Sequence, residues 1–262
     1  MEKIEEGTIL GTTRENSFGG WSVVTGGAGG IGLAIVRRLA EAGTSVAVVE
    51  RKGKDFRRVR DVCEKNSVEV LCLEADVANR SEVREAISAV QVKGGVRYAV
   101  NCAGVDDLCS TDSVSEDAWE KVMRVNLNGV VNCCLAEREF KNETDLSIVN
   151  IGSLSGMIYN QGALPHLSYN VSKSGVIHAS RCLAVEWVKE GIRVNSVSPG
   201  YTRTAMTDMN SPELNRDLIS HVPMGRMAEV DEIAAPVVFL LSPQSSYITG
   251  INLPVEGGIL SW

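Results

Sequence analysis

Aromatic residues make up only 5% of this 262-residue chain and prolines number seven. No apolar run approaches the roughly 18 residues that a membrane-spanning helix needs. The first ten residues carry acids where a signal peptide would have a basic start and an apolar stretch. A basic excess is also missing: 26 Lys and Arg stand against 33 Asp and Glu, a formal net charge of -7. Without a positive field to draw phosphate backbones or anionic lipid, neither nucleic acid nor membrane is an expected partner. The seven cysteines are an odd count, show no Cys-x-x-Cys pattern and have no Cys/His spacing suited to zinc. These absences predict a cytoplasmic protein in a reducing compartment, with no metal site and most cysteines serving as small buried apolar residues.

What the chain does have is regular alternation. Residues 1–20 are rich in Gly, Thr and Glu without apolar periodicity, and read as a poorly ordered extension ahead of one domain spanning 21–262. A short apolar run starts at Trp21. After a glycine cluster, Ile31, Leu33, Ala34, Ile35, Val36, Leu39 and Ala40 recur at helical spacing until Gly43 supplies a stop. β-Branched runs at 46–49, 68–73, 98–100, 148–151 and 194–197 read as strands buried on both faces. Helical patterning covers 114–140, 172–190 and 230–241. The alternation predicts an α/β fold, a single Rossmann-type doubly wound parallel sheet flanked by helices on both faces.

Gly26, Gly30 and Gly32 form Gly-x-x-x-Gly-x-Gly at the first strand-to-helix junction. Glycines there permit a tight turn and let the backbone approach a pyrophosphate, whose charge would sit at the positive end of the helix starting near Ile31. Such turns also serve packing alone. Glu50 strengthens the dinucleotide reading: it ends the second strand, 24 residues beyond Gly26, where a carboxylate accepts hydrogen bonds from ribose hydroxyls and repels a 2′-phosphate. Arg51, Lys52 and Lys54 follow and would partly neutralise that repulsion. NAD is therefore the expected cofactor in preference to NADP, against the plainer reading of a solvated strand end.

Farther on, Tyr169 and Lys173 are four residues apart and share one face of a helix. A phenol with an ordinary pKa near 10 is a poor base at neutral pH, and a nearby ammonium would stabilise its phenolate. Tyr169 is thus a candidate general acid/base. Just upstream, a strand runs into Gly152-Ser153-Leu154-Ser155-Gly156, which places a hydroxyl where such sheets bind ligands. Ser153 could donate to a substrate oxygen, with Ser155 as a rival for the role and a turn-capping serine as the structural alternative.

The ordered set Thr25-Gly26-x-x-x-Gly30-x-Gly32, Asp76-Val77, Asn101-Cys102-Ala103-Gly104, Asn126, Ser153, Tyr169-x-x-x-Lys173 and Pro199-Gly200 resembles the short-chain dehydrogenase/reductases, from Trp21 onward. The resemblance implies that Tyr169 exchanges the proton and Ser153 orients the substrate oxygen. Lys173 would bind the nicotinamide ribose and lower the tyrosine pKa, and Asn126 would hold a water linking Lys173 to solvent. It implies further that Asp76 and Val77 line the adenine pocket, and that Asn101, Ala103 and Gly104 border the cofactor. Thr202 and Thr204, after Pro199-Gly200, would meet the carboxamide. Three departures stand out: Cys102 for the usual second Asn, Glu256 for the usual Asp of the carboxy-terminal motif, and 16 residues from Ser153 to Tyr169, about three more than in many relatives.

The pattern is most similar to sugar and polyol dehydrogenases of that family. Asn160, Gln161, His166 and Arg203 offer donors and acceptors suited to a polyhydroxylated ligand, although each is also an ordinary surface residue. If Arg203 enters the pocket, an acidic or sulfonated sugar becomes possible. His178 and His221 read as structural. The alternatives are an NADP-dependent reductase of 3-oxoacyl thioesters or apolar ketones, and a non-catalytic dinucleotide-sensing protein. By the same resemblance the chain is expected to assemble as a homotetramer or homodimer through its long helices and carboxy-terminal strand.

Overall fold

The structure is a computed structural model that describes residues 18–106, 111–159, 166–205, 207 and 211–261. The first half of the chain runs β1 (Trp21–Thr25), α1 (Gly30–Glu41), β2 (Ser45–Glu50), α2 (Arg57–Lys65), β3 (Val70–Glu74), α3 (Arg80–Gln91) and β4 (Val96–Asn101). It continues through α4 (Glu116–Met123), α5 (Gly129–Glu139), β5 (Leu146–Ile151) and α6 (Leu167–Trp187). The last elements are β6 (Ile192–Pro199), α7 (Pro212–Ser220), α8 (Val230–Leu241) and β7 (Asn252–Val255). Calls on residues 1–17, and the candidates Asn160 and Gln161, lie outside the described residues.

All seven strands pair in parallel in the order β3-β2-β1-β4-β5-β6-β7. Because side chains alternate along a strand, each run feeds two cores. Val24, Val46, Val48, Val100 and Val149 face one way, against Leu33, Ile35, Val36 and Leu39 of α1 and Ile233, Val237 and Leu240 of α8. Val23, Ala47, Val49, Ala99 and Ile148 face the other, against Val83, Ile87 and Val90 of α3, Cys133 and Cys134 of α5, and Val176 and Trp187 of α6. Double-sided burial is why these strands read as continuous apolar runs rather than alternating ones.

Capping fixes where several helices begin. Asn79 accepts from Ser81 and Glu82 at α3, Ser115 from Ala118 at α4, and Ser211 from Leu214 at α7, while Glu229 and Glu232 form a reciprocal capping box at α8. The helix expected over 114–140 is two helices joined by a π turn, Arg124–Asn128, in which the Gly129 N–H reaches back five residues to the Arg124 carbonyl. The helix expected from 172 begins five residues sooner, at Leu167. Packing also starts ahead of Trp21: Phe18 is buried, its ring lies tilted against Tyr98 with centroids 4.9 Å apart, and its carbonyl accepts a hydrogen bond from the Tyr98 hydroxyl at 2.9 Å. Among the described residues no helix is long and apolar enough to cross a membrane.

Strand order reverses between β1 and its two neighbours: the chain leaves β1 towards β2 on one side and returns as β4 on the other. The loops after β1 and β4 therefore part above the sheet and open a crevice at the carboxyl ends of the strands.

Candidate active site

That crevice is a groove of about 1330 Å³, large enough for a dinucleotide together with a small substrate. One end is built by the β1–α1 turn. Thr25 Oγ1 accepts from the backbone N–H groups of Cys102 (3.1 Å) and Ala103 (3.2 Å), tying the β1 and β4 loops together. Gly26 has φ +69°, and a Cβ there would come within 2.9 Å of the Ala103 backbone; one on Gly32 would run into the Gly26 carbonyl. No side chain caps α1 and no acid lies in its first turn. Its leading N–H groups meet the groove unclaimed by any side-chain cap, which is the arrangement an anionic pyrophosphate requires. A Cβ on Gly29 would meet nothing within 4 Å, so the space in front of the turn is open. The residues present thus fit a dinucleotide.

Glu50 lines this end, and its Oε1 accepts the Ala28 N–H at 3.0 Å. Arg51 and Lys54 line it as well. Asp76 and Val77 form the adjoining wall, with Asp76 Oδ1 accepting from Ala78 N–H at 3.0 Å. Gly30, Ile31, Ala103, Gly104, Pro199, Gly200, Thr202 and Thr204 also line the groove.

The other end gathers Ser153, Tyr169 and Lys173. Ser153 leaves β5 and its Oγ accepts the Ser155 N–H at 3.1 Å, and its hydroxyl lies near enough to the Tyr169 phenol to act on its titration. Lys173, one helical turn from Tyr169, donates from Nζ to the Ile151 carbonyl at 2.8 Å and lies 5.7 Å from the Tyr169 ring centroid. Burial pushes the Tyr169 phenol up to about 12, with the Ser153 hydroxyl pulling the other way. Burial also pulls Lys173 down to about 8, opposed by the neighbouring Cys102 and Asp106. At neutral pH the phenol therefore holds its proton and the amine is largely charged.

Asn126 sits in the π turn and is fully buried. Its Oδ1 accepts from Val105 N–H (2.8 Å), and its Nδ2 donates to the Val105 carbonyl (2.8 Å) and Ser172 Oγ (3.1 Å). Both side-chain donors are thus occupied in holding the β4 loop against α6.

Two sequence candidates need correction. Asn101 does not face the groove; its amide donates to Asn150 Oδ1 (2.9 Å) and Glu137 Oε2 (3.2 Å) inside the protein, because it is the last residue of a central strand and points towards α5. Arg203 is exposed and pairs with Glu229 at 3.1 Å, an ion pair that keeps it on the outer surface. Ser155 and His166 do line the groove. Periodicity carries no signal for Asp106, Tyr201, Leu214 and Leu218, which also line the groove. Asp106 and Tyr201 stand in loops without periodicity, and the two leucines belong to a short helix whose other faces are polar.

Comparison with known proteins decides the family. Residues 26–260 match the family model described as enoyl-(acyl carrier protein) reductase, and a short-chain type dehydrogenase/reductase from Mycobacterium marinum superposes with a TM-score of 0.90 at 28% identity, over 95% of this chain and 98% of that one. The chain belongs to the short-chain dehydrogenase/reductase family. As a short-chain dehydrogenase/reductase it is an oxidoreductase acting on CH–OH groups or their carbonyls, and the family uses NAD or NADP. Among curated relatives it is similar to a galactitol 2-dehydrogenase (L-tagatose-forming) from Cereibacter sphaeroides, 35% identical over 93% of this chain and 96% of the relative. It is also similar to an acetoacetyl-CoA reductase from Allochromatium vinosum, 34% identical over 91% of this chain and 97% of the relative.

Proposed function

We propose that this protein interconverts a secondary alcohol of a sugar or polyol and the corresponding ketone, with NAD as the preferred cofactor and Tyr169 as general acid/base. One observation carries the reading: Ser153, Tyr169 and Lys173 converge at one end of a groove whose other end is the uncapped start of α1 beside Glu50. When bound, the nicotinamide dinucleotide supplies the hydride acceptor or donor. Ser153 and Tyr169 hold the reacting oxygen, Tyr169 gives or takes its proton, and Lys173 places a positive charge beside the oxygen on which charge develops. The galactitol dehydrogenase relative supports a polyol substrate, as do the polar groups of Ser153, Ser155 and His166 at the substrate end.

The acetoacetyl-CoA reductase relative favours a second reading, reduction of a 3-oxoacyl thioester with NADP, and Arg51 and Lys54 in the adenosine end are compatible with it. Initial rates with polyols, aldoses, sugar acids, simple secondary alcohols and acetoacetyl-CoA, each with both cofactors, separate the two. The expected result is polyol turnover with NAD preferred in kcat/KM; turnover confined to the thioester would overturn the substrate class. In the same assays Glu50→Ser should cut the NAD-to-NADP preference by about tenfold, because it removes the carboxylate that repels a 2′-phosphate. An unchanged ratio would show that Glu50 does not read the ribose.

The proposal includes a homodimer or homotetramer. Exposed apolar residues at the end of α6 and towards the carboxy terminus, Val185, Val188, Tyr247 and Ile251, support it, and sedimentation at micromolar concentration reads the state directly.

A further inference from the structure

Beside Tyr169 stands a second polar pair that the chemistry above does not use. His166 occupies the N-cap position of α6, yet its side chain makes no capping hydrogen bond to the helix. Its Nδ1 instead lies 3.1 Å from Asp106 Oδ1, which comes from the loop after β4. Both side chains line the groove, and with 17% and 20% of their surface exposed they are far from an ordinary solvated ion pair. The imidazole is one helical turn before Tyr169, with ring centroids 6.2 Å apart, so the two rings form one wall. Asp106 is close enough to the reacting groups that its charge pushes the Tyr169 phenol up and helps keep Lys173 charged.

We infer that His166, oriented by Asp106, is a specificity-determining residue that binds a second hydroxyl, on the carbon next to the one that reacts. The substrate class is therefore the vicinal diol, and on the oxidised side the α-hydroxy ketone. This rests on the polyol reading above and deepens it. The chemistry follows from the pair. A carboxylate that accepts from Nδ1–H fixes the neutral tautomer with its lone pair on Nε2, a ready acceptor for a ligand O–H; in the protonated ring Nε2 donates to the ligand oxygen instead. Neighbouring oxygens of a vicinal diol lie within hydrogen-bond length of each other. While Ser153 and Tyr169 hold the first, the ring one turn upstream is placed for the second. A secondary alcohol without that hydroxyl leaves the desolvated imidazole unpaired, and a site built around a polar partner discriminates against such a ligand.

The test compares propylene glycol with isopropanol, a vicinal diol and the monohydric alcohol of the same skeleton. The readout is the ratio of their kcat/KM values, which does not depend on the fraction of enzyme that is folded. Wild type should prefer the diol, and His166→Ala should lower that preference by about tenfold, the worth of one hydrogen bond in a partly desolvated site. Asp106→Ala should lower it in the same direction, since the ring then loses its orienting partner. If the pair only ties the β4 loop to α6, both substrates lose equally and the ratio stays fixed, which overturns the inference and leaves the polyol reading standing. If wild type oxidises neither these alcohols nor any polyol but reduces acetoacetyl-CoA, the polyol reading falls and takes this subsite with it.

Discussion

Tyr169→Phe should lower turnover by at least about a hundredfold while dinucleotide binding persists. The substitution keeps the ring in its slot on α6 and removes only the hydroxyl, the group beside Ser153. General acid/base catalysis by a positioned side chain contributes roughly 10²–10⁴ in rate, and no other group in the contact pattern described stands in for the lost one. Steady-state rates, with cofactor affinity measured separately by calorimetry, check both halves. Near-normal turnover in a clean preparation would remove Tyr169 from the mechanism. A directional corollary follows from a phenol pushed up to about 12. Oxidation of an alcohol needs the phenolate, whose fraction grows with every step of pH below that value, so oxidation should quicken towards alkaline pH in wild type. Reduction, which needs the protonated phenol, should not.

The second large effect belongs to a residue remote from the groove. Glu137 of α5 is fully buried, and burial pushes its carboxyl from 4.5 to about 8. Asn101 donates to its Oε2, but Glu137 Oε1 and Asn101 Oδ1 are both buried without a protein hydrogen-bond partner. The titratable groups against it are the neighbouring Cys133 and Cys134, whose thiols burial keeps protonated, so among the described residues no cation offsets a charge there. A proton on the carboxyl supplies a donor to a cluster otherwise short of donors.

Because the folded value lies above the unfolded one, this group favours the folded state fully below pH 4.5, and that contribution is lost as pH rises towards about 8. At roughly 1.4 kcal/mol per pH unit the whole span amounts to several kcal/mol, an order-of-magnitude figure comparable to a sizeable part of a domain's net stability. Glu137→Gln, which carries permanent donors in the same shape, should therefore be more stable than wild type at pH 8, by about 2–4 kcal/mol, and nearly equal to it at pH 5. Denaturant unfolding at the two pH values measures this; parallel stability profiles for the two proteins would mean that Glu137 does not hold its proton in the folded state.

The sequence was most readable where one physical demand dominates. Strands buried on both faces must be apolar throughout, and the runs at β1, β2, β4, β5 and β6 show it. The β1–α1 turn must be glycine at Gly26 and Gly32, and the Ser153, Tyr169 and Lys173 set follows from its order along the chain. Legibility failed where several demands overlap. α2 and α3 expose most of their length, so only Val59 and Cys63 in one and Val83, Ile87 and Val90 in the other carry the buried stripe through a charged background. Arg203 and Asp106 are both charged loop residues. Which one turned outward to Glu229 and which inward to His166 depends on loop paths that periodicity does not encode. Glu137 sits at a position whose neighbours look like an ordinary amphipathic helix, and nothing in its identity announces complete burial.

The π turn at Arg124–Asn128 has a bearing on how this scaffold tolerates change. With one residue too many for a regular helix, it sets the rotational phase between α4 and α5. Deleting a single residue there would restore a straight α-helix and swing everything upstream by about 100° around the axis, carrying Val122 out of the interior and pulling the Asn126 amide away from Val105. Loops elsewhere can drift in length, but this joint works as a keyed coupling whose residue count holds Asn126 against the loop after β4.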